Sequence, residues 1–327
     1  MDSVQVTLLI PIKNGERYLA GALAHLTAGA RPNDEILVID DHSDDFTFTL
    51  VEEWCGTNPR LRLLRNPGQG LVDALNYGVS EAKGNWIARY DVDDNYSKDR
   101  IYKQVELISE NVVAVFSDYN FRSTTGKHLG HIYSAVLPYA TELSVLSAQR
   151  LAHPVALLRK TAVLQAGGYD KSEFPAEDLG LWLRLMELGS FTSVPEMLLD
   201  YSLSDTSVSA SKRDLIREKR ERLLSNPTQV NSAIQNLNPT VKRIFNLYKK
   251  QDSYWERTLF YIRDLLIADS KKLLDKKQRR SLRISLIAIF FNPYTSILIF
   301  KHLYFKHLRG QKRITDSASN NSFEERR

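Results

Sequence analysis

The sequence predicts an α/β fold, a Rossmann-like and mainly parallel sheet flanked by helices, followed by a C-terminal helical region. In the first third of the chain, short apolar runs alternate with segments of helical spacing, as in βαβ units. Polar and acidic residues gather where those runs end. From about residue 211, segments rich in Lys, Arg and Leu replace the strand-like runs. We expect one domain at residues 1–210, a basic helical region at 211–315 and a disordered tail at 316–327.

The composition is that of a globular protein. Of the 327 residues, 43% are apolar and 25% are charged, which excludes a wholly disordered chain and a protein with many membrane spans. Cys55 is the only cysteine, so intrachain disulfides and thiolate-rich zinc sites are excluded. The first residues do not form a basic segment followed by an apolar one, and we therefore expect a cytoplasmic protein.

The predicted strands of the first third all end at polar clusters. Strands are predicted at residues 4–12, 35–40, 61–64 and 85–90. Helices are predicted at residues 16–28, 46–54 and 71–82. Because ligands of parallel sheets bind beyond the carboxyl ends of the strands, we expect the functional site at that edge.

The following elements are less regular. Helices are predicted at 99–109, 161–166 and 179–188, and strands at 112–116 and 152–158. Residues 118–137 are irregular, with some hairpin character. Glu177 and Asp178 stand at the first turn of the last of these helices. A linker at 202–211 is predicted to end the domain.

The fourth predicted strand stops at the acid loop, residues 91–94, which contains Asp91, Asp93 and Asp94. Carboxylates this close repel one another unless a cation lies among them, so the loop predicts a divalent metal site. The alternative without function is a solvated acidic turn.

Two other kinds of ligand site match parts of this region. A calcium loop would need Gly and Glu where the sequence has Tyr96 and Tyr102. A dinucleotide site at Gly68 and Gly70 would need a small residue where the sequence has Asp73. Both therefore fit the sequence less well than the metal site.

Taken together, these clusters resemble the motifs of the family 2 glycosyltransferases, which have the GT-A fold, and especially those of bacterial surface-polysaccharide synthesis. His42 replaces a usual Gly, and Ser204 stands where many relatives have a His. The matching motifs, in the family's order over about residues 4–209, are Pro11-Ile12-Lys13-Asn14-Gly15-Glu16, Val38-Ile39-Asp40-Asp41-His42-Ser43-Asp44-Asp45, Asn66-Pro67-Gly68 through Ala74-Leu75-Asn76, Asp91-Val92-Asp93-Asp94, His153-Pro154, Gly167-Gly168-Tyr169-Asp170, Glu177-Asp178-Leu179-Gly180-Leu181-Trp182-Leu183-Arg184-Leu185 and Ser207-Val208-Ser209.

The resemblance implies an inverting, metal-dependent enzyme that moves one sugar from a nucleoside-diphosphate sugar, with a UDP-sugar favoured, to a glycan or lipid-linked acceptor. Asp93 and Asp94 would hold Mg²⁺ or Mn²⁺, which neutralises the leaving diphosphate. Asp91 would approach the ribose or the diphosphate. The residues implied to frame the nucleotide are Pro11, Asn14, Glu16 and Asp41.

Asp178 is implied to be the general base that takes the proton of the acceptor hydroxyl, and Glu177 a neighbouring contact in the site. The alternative is that both acids only favour the positive end of a helix. His153 could compensate for the missing His at position 204, but a lone His before Pro is more often structural.

Beyond residue 211, the charge pattern predicts a surface that meets anionic groups. Residues 284–300 are mostly uncharged, contain Pro293 and are flanked by Lys and Arg, so the stretch 279–313 predicts attachment to a membrane surface better than nucleic-acid binding. A core helix pair or a homo-oligomer interface is the alternative.

Two functions of other classes remain open beside the glycosyltransferase. One is a Rossmann-type oxidoreductase that binds NAD, and the other is a non-catalytic scaffold at a membrane surface. Processive synthases of the family have several membrane spans and a Gln-x-x-Arg-Trp motif, and the sequence has neither. Addition of a single sugar is therefore favoured.

Overall fold

The computed structural model describes residues 5–132, 141, 145, 151–203 and 211–235. All of them lie in the first of two compact units, which comprises residues 1–242; the second comprises residues 243–327. The predicted membrane-binding stretch at 279–313 and the predicted tail at 316–327 lie outside the described residues.

The described residues form one nine-stranded sheet. In chain order the strands are β1 (Val6–Ile12), β2 (Glu35–Asp40), β3 (Leu61–Arg65), β4 (Trp86–Arg89), β5 (Asn95–Tyr96), β6 (Val112–Ser123), β7 (His128–Ile132), β8 (Leu157–Arg159) and β9 (Ser190–Leu203). Across the sheet the order is β3-β2-β1-β4-β8-β6-β9-β5, with β7 paired to β6.

Helices cover the sheet. The helices with described bounds are α1 (Glu16–Gly29), α2 (Thr47–Thr57), α3 (Leu71–Glu81), α4 (Arg100–Val105), α5 (Lys160–Gln165), α6 (Glu177–Leu185), α7 (Arg213–Ser225) and α8 (Pro227–Ile234). Helix α3 packs on β1 and β2 through Val72, Leu75 and Val79, which recur at helical spacing and are buried.

The first four strands form one parallel part of the sheet, and β6 also pairs in parallel with β9. β1 pairs in parallel with β2 and with β4, and β2 with β3, so their carboxyl ends meet at one edge. Every residue of β1, β2 and β4 is buried, which explains why these strands are continuous apolar runs in the sequence. The predicted α/β class with a mainly parallel sheet is confirmed, and the predicted bounds of these strands are within two residues of the observed ones.

The second half of the sheet differs from the prediction. The predicted strand at 152–158 is a 3-10 turn at His153–Val155 followed by the short antiparallel strand β8. Residues 118–137, expected to be irregular with some hairpin character, contain the end of β6 and its antiparallel partner β7, so the hairpin character is confirmed and the irregularity is not. Strand β9 was not predicted, and its last residues lie in the segment taken for a linker.

Two described helices follow residue 210, and both pack on α6. Helix α8 begins at Pro227, where the side chain of Asn226 accepts a hydrogen bond from Thr228 N at 3.1 Å, as N-caps do. Its Val230, Ala233 and Ile234 are buried. The part of the predicted helical region that the structure describes therefore belongs to the same compact unit as the sheet.

Candidate active site

A cleft of about 560 Å³ opens at the carboxyl edge of the parallel strands. Elements that are far apart in the sequence meet there, because the loops after β1, β2 and β4 all leave the sheet at this edge. The residues predicted from the sequence that line the cleft are Pro11, Asn14, Asp41, Asp91, Asp93, Asp94, Glu177 and Asp178.

Asp41 shapes the glycine loop, residues 66–70, on one side of the cleft. Its buried carboxylate accepts hydrogen bonds from Asn66 Nδ2 at 2.7 Å and from Gly70 N at 2.9 Å. Gly70 has φ of 90°, a conformation that glycine adopts without strain. A Cβ at Gly68 would lie 2.3 Å from a carboxylate oxygen of Asp73, so both glycines are required by the path of the loop.

Asn14 and His42 connect the loop after β1 to the loop after β2. Both have left-handed backbones, with φ of 52° and 56°. Asn14 N donates to Ser43 Oγ at 3.0 Å, and Asp44 N donates to Asn14 Oδ1 at 2.8 Å. His42 Nε2 lies 2.9 Å from Gly68 O, in hydrogen-bond contact. The left-handed backbone explains why Gly is the usual residue where this chain has His42.

Glu16 is not among the residues that line the cleft. Its carboxylate instead accepts a hydrogen bond from Phe46 N at 3.1 Å, just before α2 begins, and its backbone N–H donates to Asp45 Oδ2 at 3.2 Å. Glu16 therefore supports the two loops beside the cleft.

The acid loop presents a set of oxygen atoms suited to a hard cation. Oxygen atoms of Asp91, Asp93 and Asp94 lie within 4.8 Å of one another. Burial and the neighbouring Asp91 raise the pKa of Asp93 to about 6, and they raise the pKa of Asp94 well above its usual range. Asp94 Oδ1 accepts from Ser202 N at 2.7 Å, whereas the buried Asp94 Oδ2 has no hydrogen-bond partner. These residues fit Mg²⁺ or Mn²⁺.

Arg89 and Tyr96 hold the first acid of the loop. The buried guanidinium of Arg89 forms an ion pair with the Asp91 carboxylate. Burial would lower the pKa of Arg89, but the adjacent Asp91 raises it, so Arg89 stays charged. Asp91 N donates to the hydroxyl oxygen of Tyr96 at 2.7 Å. Arg89 therefore supplies one positive charge to the acid loop.

Arg100 fixes the backbone at the end of β4, which leads into the acid loop. Its fully buried guanidinium donates to the carbonyl oxygens of Arg89 at 2.9 Å, Pro154 at 2.8 Å and Ala156 at 3.2 Å. The guanidinium also lies 4.1 Å from the ring centroid of Tyr90. These contacts join the end of β4 to the 3-10 turn at His153–Val155.

Glu177 and Asp178 are far from the acid loop in the sequence but line the same cleft, at the first turn of α6. Asp178 Oδ1 accepts from Leu179 N at 2.7 Å, and Asp178 Oδ2 lies 3.5 Å from a terminal nitrogen of Arg220. Burial and the adjacent Asp178 raise the pKa of Glu177 to about 7, and its buried Oε2 has no hydrogen-bond partner.

Residues of four sequence motifs meet at the turn before α6 and fix its position. Asn76 of α3 makes two hydrogen bonds of 2.8 Å with the backbone N–H and C=O of Tyr169. Arg184 of α6 donates to Gly168 O at 2.9 Å. His153 Nε2 lies 2.8 Å from Tyr169 Oη, and burial lowers the pKa of His153 well below its usual range, so His153 is neutral and structural here.

Other residues of the cleft were not identified from the sequence. Tyr119, Phe121 and Tyr201 form an aromatic wall on β6 and β9, with ring centroids 5.3–6.4 Å apart. Ile216 and Arg220 reach the cleft from α7. Alternation along a strand could have pointed to Tyr119 and Phe121, but in a helix rich in Arg and Lys nothing in the sequence distinguishes Arg220.

Comparisons with known proteins agree with this geometry. Residues 7–162 match the family model described as "Glycosyl transferase family 2". An uncharacterized glycosyltransferase of Haemophilus influenzae is 28% identical over 224 residues, which are 66% of this chain and 81% of that protein. The putative teichuronic acid biosynthesis glycosyltransferase TuaG of Bacillus subtilis is 24% identical, over 63% of this chain and 82% of that protein. The chain spans about a third (34%) of the length of other curated relatives, from Rickettsia.

Solved structures share the fold. TarS residues 1–349 of S. aureus, in complex with UDP-GlcNAc, superpose with a TM-score of 0.58 and 15% identity, covering 94% of this chain and 92% of that one. The mannosyltransferase PcManGT of Pyrobaculum calidifontis, in complex with GDP-Man and Mn²⁺, superposes with a TM-score of 0.51 and 17% identity, covering 87% and 85%. The expected GT-A fold is thereby confirmed.

Proposed function

We propose that this chain, a glycosyltransferase with a family 2 domain at residues 7–162, moves one sugar from a nucleoside-diphosphate sugar to a glycan or lipid-linked acceptor by an inverting, metal-dependent route. The observation that carries the proposal is that one cleft is lined by the acid loop, by Asp41 and by Asp178 together. A separate base and a separate charge-stabilising group are what a single displacement at the anomeric carbon requires.

The acid loop forms the donor side of the proposed reaction. Asp93 and Asp94 would hold Mg²⁺ or Mn²⁺, which when bound neutralises the charge that develops on the leaving diphosphate. Asp91 faces the ribose or the diphosphate and is held by Arg89 and Tyr96. Pro11, Asn14 and Asp41 frame the nucleotide, and Glu16 supports their loops. A UDP-sugar is favoured as the donor, and the UDP-GlcNAc complex of TarS supports that choice.

Asp178 forms the acceptor side. Its carboxylate takes the proton of the acceptor hydroxyl while that oxygen attacks the sugar, so the configuration at the anomeric carbon inverts. Glu177 lies beside it with one buried, unpartnered oxygen, which suits it to contact a hydroxyl of a bound sugar. The aromatic wall at Tyr119, Phe121 and Tyr201 adds apolar ring surface to the cleft.

Binding of UDP in the presence of Mn²⁺, measured by isothermal titration calorimetry, tests the two sides separately. We expect Asp93→Ala to weaken Mn²⁺-dependent UDP binding, because a metal ligand is lost. We expect Asp178→Asn to retain that binding and to lose transfer. Transfer at the wild-type rate by Asp178→Asn would require another base. Binding of NAD with an affinity independent of metal would instead favour the oxidoreductase.

The acceptor is proposed to belong to surface-polysaccharide synthesis on the cytoplasmic face of a membrane. The relationship to TuaG supports this class of product. Within the described residues, the structure contains no helix long and apolar enough to cross a bilayer. Peripheral attachment through residues 279–313 is part of the proposal, and homo-oligomer formation through them is its alternative.

Deletion of residues 279–313 tests the attachment. Because these residues combine apolar and basic side chains, we expect the shortened protein to remain in the supernatant when membranes are sedimented, while the full chain sediments with them. A shortened protein that still sediments with membranes would contradict the assignment. If the shortened protein no longer sediments but still transfers sugar to soluble acceptors at an unchanged rate, attachment and catalysis are separate. If the full chain sediments with membranes but transfers no sugar, the scaffold function would replace the enzymatic one.

A further inference from the structure

Helix α7 brings two side chains into the cleft from beyond the region that matches the family model. Ile216 and Arg220 are one turn apart on the same face of the helix, and both line the cleft. The matched region ends at residue 162, so this wall of the cleft is built by a later part of the chain.

Two contacts fix α7 to the segment before α6. Lys219 Nζ donates to Ser172 O at 2.7 Å. The ammonium group of Lys212, which immediately precedes α7, lies 4.4 Å from the ring centroid of Phe174. Since Phe174 is itself part of the cleft wall, the helix is held against the side of the cleft that contains Asp178.

Arg220 meets Asp178 where water has little access. A terminal nitrogen of Arg220 lies 3.5 Å from Asp178 Oδ2, and the two side chains are only 13% and 17% exposed. Exposed ion pairs contribute little to stability because water screens their attraction, whereas this pair is largely removed from water. Asp178 Oδ1 accepts from Leu179 N at 2.7 Å. Both oxygens of the carboxylate are therefore oriented by the protein.

The charges around Asp178 also favour a cation at this place. Glu177 is adjacent and buried, and two acids so close repel each other. Among the described residues, Arg220 is the ion-pair partner of Asp178. Without its guanidinium, Asp178 Oδ2 would lose its cation beside a second acid, and the hydrogen bond from Leu179 N to Oδ1 would have to orient the carboxylate.

We propose that Arg220 is a positioning residue, which orients the Asp178 carboxylate toward the acceptor hydroxyl. This inference rests on the proposed function, in which Asp178 is the base. Arg220 acts through Asp178 and lowers the cost of aligning the base with the attacking oxygen, since proton transfer depends on a defined approach.

The test measures nucleotide release in the presence of Mn²⁺ by the full chain, with water in the place of the acceptor hydroxyl, using whichever of UDP-glucose, UDP-galactose, UDP-GlcNAc and GDP-mannose the wild-type protein turns over fastest. We expect Arg220→Gln to lower kcat by about 10- to 100-fold. The donor KM and Mn²⁺-dependent UDP binding should stay within about twofold of wild type, because the donor side is untouched. Arg220→Lys should recover part of the lost rate, because it restores a cation.

A double-mutant cycle shows whether Arg220 acts through Asp178. We expect Arg220→Gln to cause no further loss in the Asp178→Asn background, since the residue it positions is then no longer a base. The control is Arg217→Gln on the same helix, whose side chain is 70% exposed and pairs with Asp214; its rate should equal that of wild type.

Several results would overturn the inference. One is a wild-type kcat for Arg220→Gln. Another is a loss that multiplies with that of Asp178→Asn, which would mean that Arg220 binds a substrate group such as an acceptor phosphate on its own. A third is a parallel loss of UDP binding and melting temperature, which would make the pair only structural. Failure of the wild-type protein to bind any of these nucleotide sugars in the presence of Mn²⁺ would instead contradict the proposed function.

Discussion

Among single residues, Asp93 links the stability of the protein to pH. Its folded-state pKa of about 6 lies above the value of roughly 3.9 for an unfolded Asp. Between these values the folded state binds more protons than the unfolded chain, so the free energy of unfolding decreases as the pH rises from about 4 to about 6. Above that range, the metal-free protein keeps a partly buried charge beside Asp91, and this charge destabilises it.

We expect Asp93→Asn to raise the melting temperature of the EDTA-treated protein at pH 7.5, because the amide carries no charge. At pH 5 the difference should shrink, since Asp93 is then mostly protonated. Asp99→Asn, at a side chain that is 67% exposed, is the control and should change little at either pH. A variant no more stable than wild type at pH 7.5 would contradict the assigned burial and repulsion. With Mn²⁺ present, wild type should become the more stable protein.

At this scale, the sequence is informative where a residue's type requires a particular chemistry. The acid loop could be predicted because clustered carboxylates favour a cation, whereas Asp178 was singled out by the resemblance to the family. Arg89 could also have been found, since it precedes Asp91 by two positions in an extended segment and so faces the same way. Arg220 could not, because its role depends on how α7 packs and not on its neighbours in the sequence.

Helix α4 and the 3-10 turn at His153–Val155 are joined to the end of β4 by one side chain. Arg100 supplies donors to three carbonyl oxygens from two separate segments. Gln104, one turn later, donates to Val115 O at 3.0 Å and to Val155 O at 2.8 Å. Buried carbonyl groups need such donors, so these two residues fix the relative positions of three elements.

We expect Arg100→Met to lower the free energy of unfolding by about 3 kcal/mol, because the carbonyls of Arg89 and Pro154 would each lose a donor worth roughly 1–3 kcal/mol, while that of Ala156 keeps the donor Arg89 N. Urea denaturation measures the change. Lys103→Met, on the same helix and with exposed ion-pair partners, is the control and should have little effect. Equal midpoints for Arg100→Met and wild type would show that water replaces the lost donors.

The elements that sequence reasoning missed are those whose patterns are interrupted. β9 contains Pro195, and the register between β6 and β9 shifts where Ser117 pairs with Val194 but Asp118 pairs with Met197. Proline cannot donate to a strand partner and is tolerated at such bulges, so the strand continues past a residue that ordinarily ends one. The buried strands β1, β2 and β4 are continuous apolar runs, in which Pro11 comes only next to the end of β1, and their bounds were predicted closely.

For the whole molecule, the described helices after residue 210 belong to the catalytic unit. Residues 1–242 form one compact unit, and α8 buries Val230, Ala233 and Ile234. The predicted boundary at 210 would separate α7, and with it Arg220, from the cleft. Sequence reasoning placed a boundary there because charged helices follow a polar segment, and charge alone does not reveal which face is packed.

We expect a protein that ends at residue 242 to fold and to bind UDP with Mn²⁺, whereas one that ends at residue 210 should lose both stability and nucleotide release. The shorter protein would expose the surface of α6 that α7 and α8 cover. Thermal melting and nucleotide release compare the two. Equal melting temperatures would show that the two helices add nothing to the fold.

The order of the cleft-lining residues along the chain affects what happens when related genes exchange segments by recombination. The acid loop and the glycine loop lie within residues 66–94, whereas Asp178, Tyr201 and Arg220 all come later. Under the proposed function, a single crossover in the gene, placed between β7 and the 3-10 turn at His153–Val155, would therefore join the donor side of one enzyme to the acceptor side of another. Recombination at one position could create new sugar linkages without rebuilding the nucleotide site.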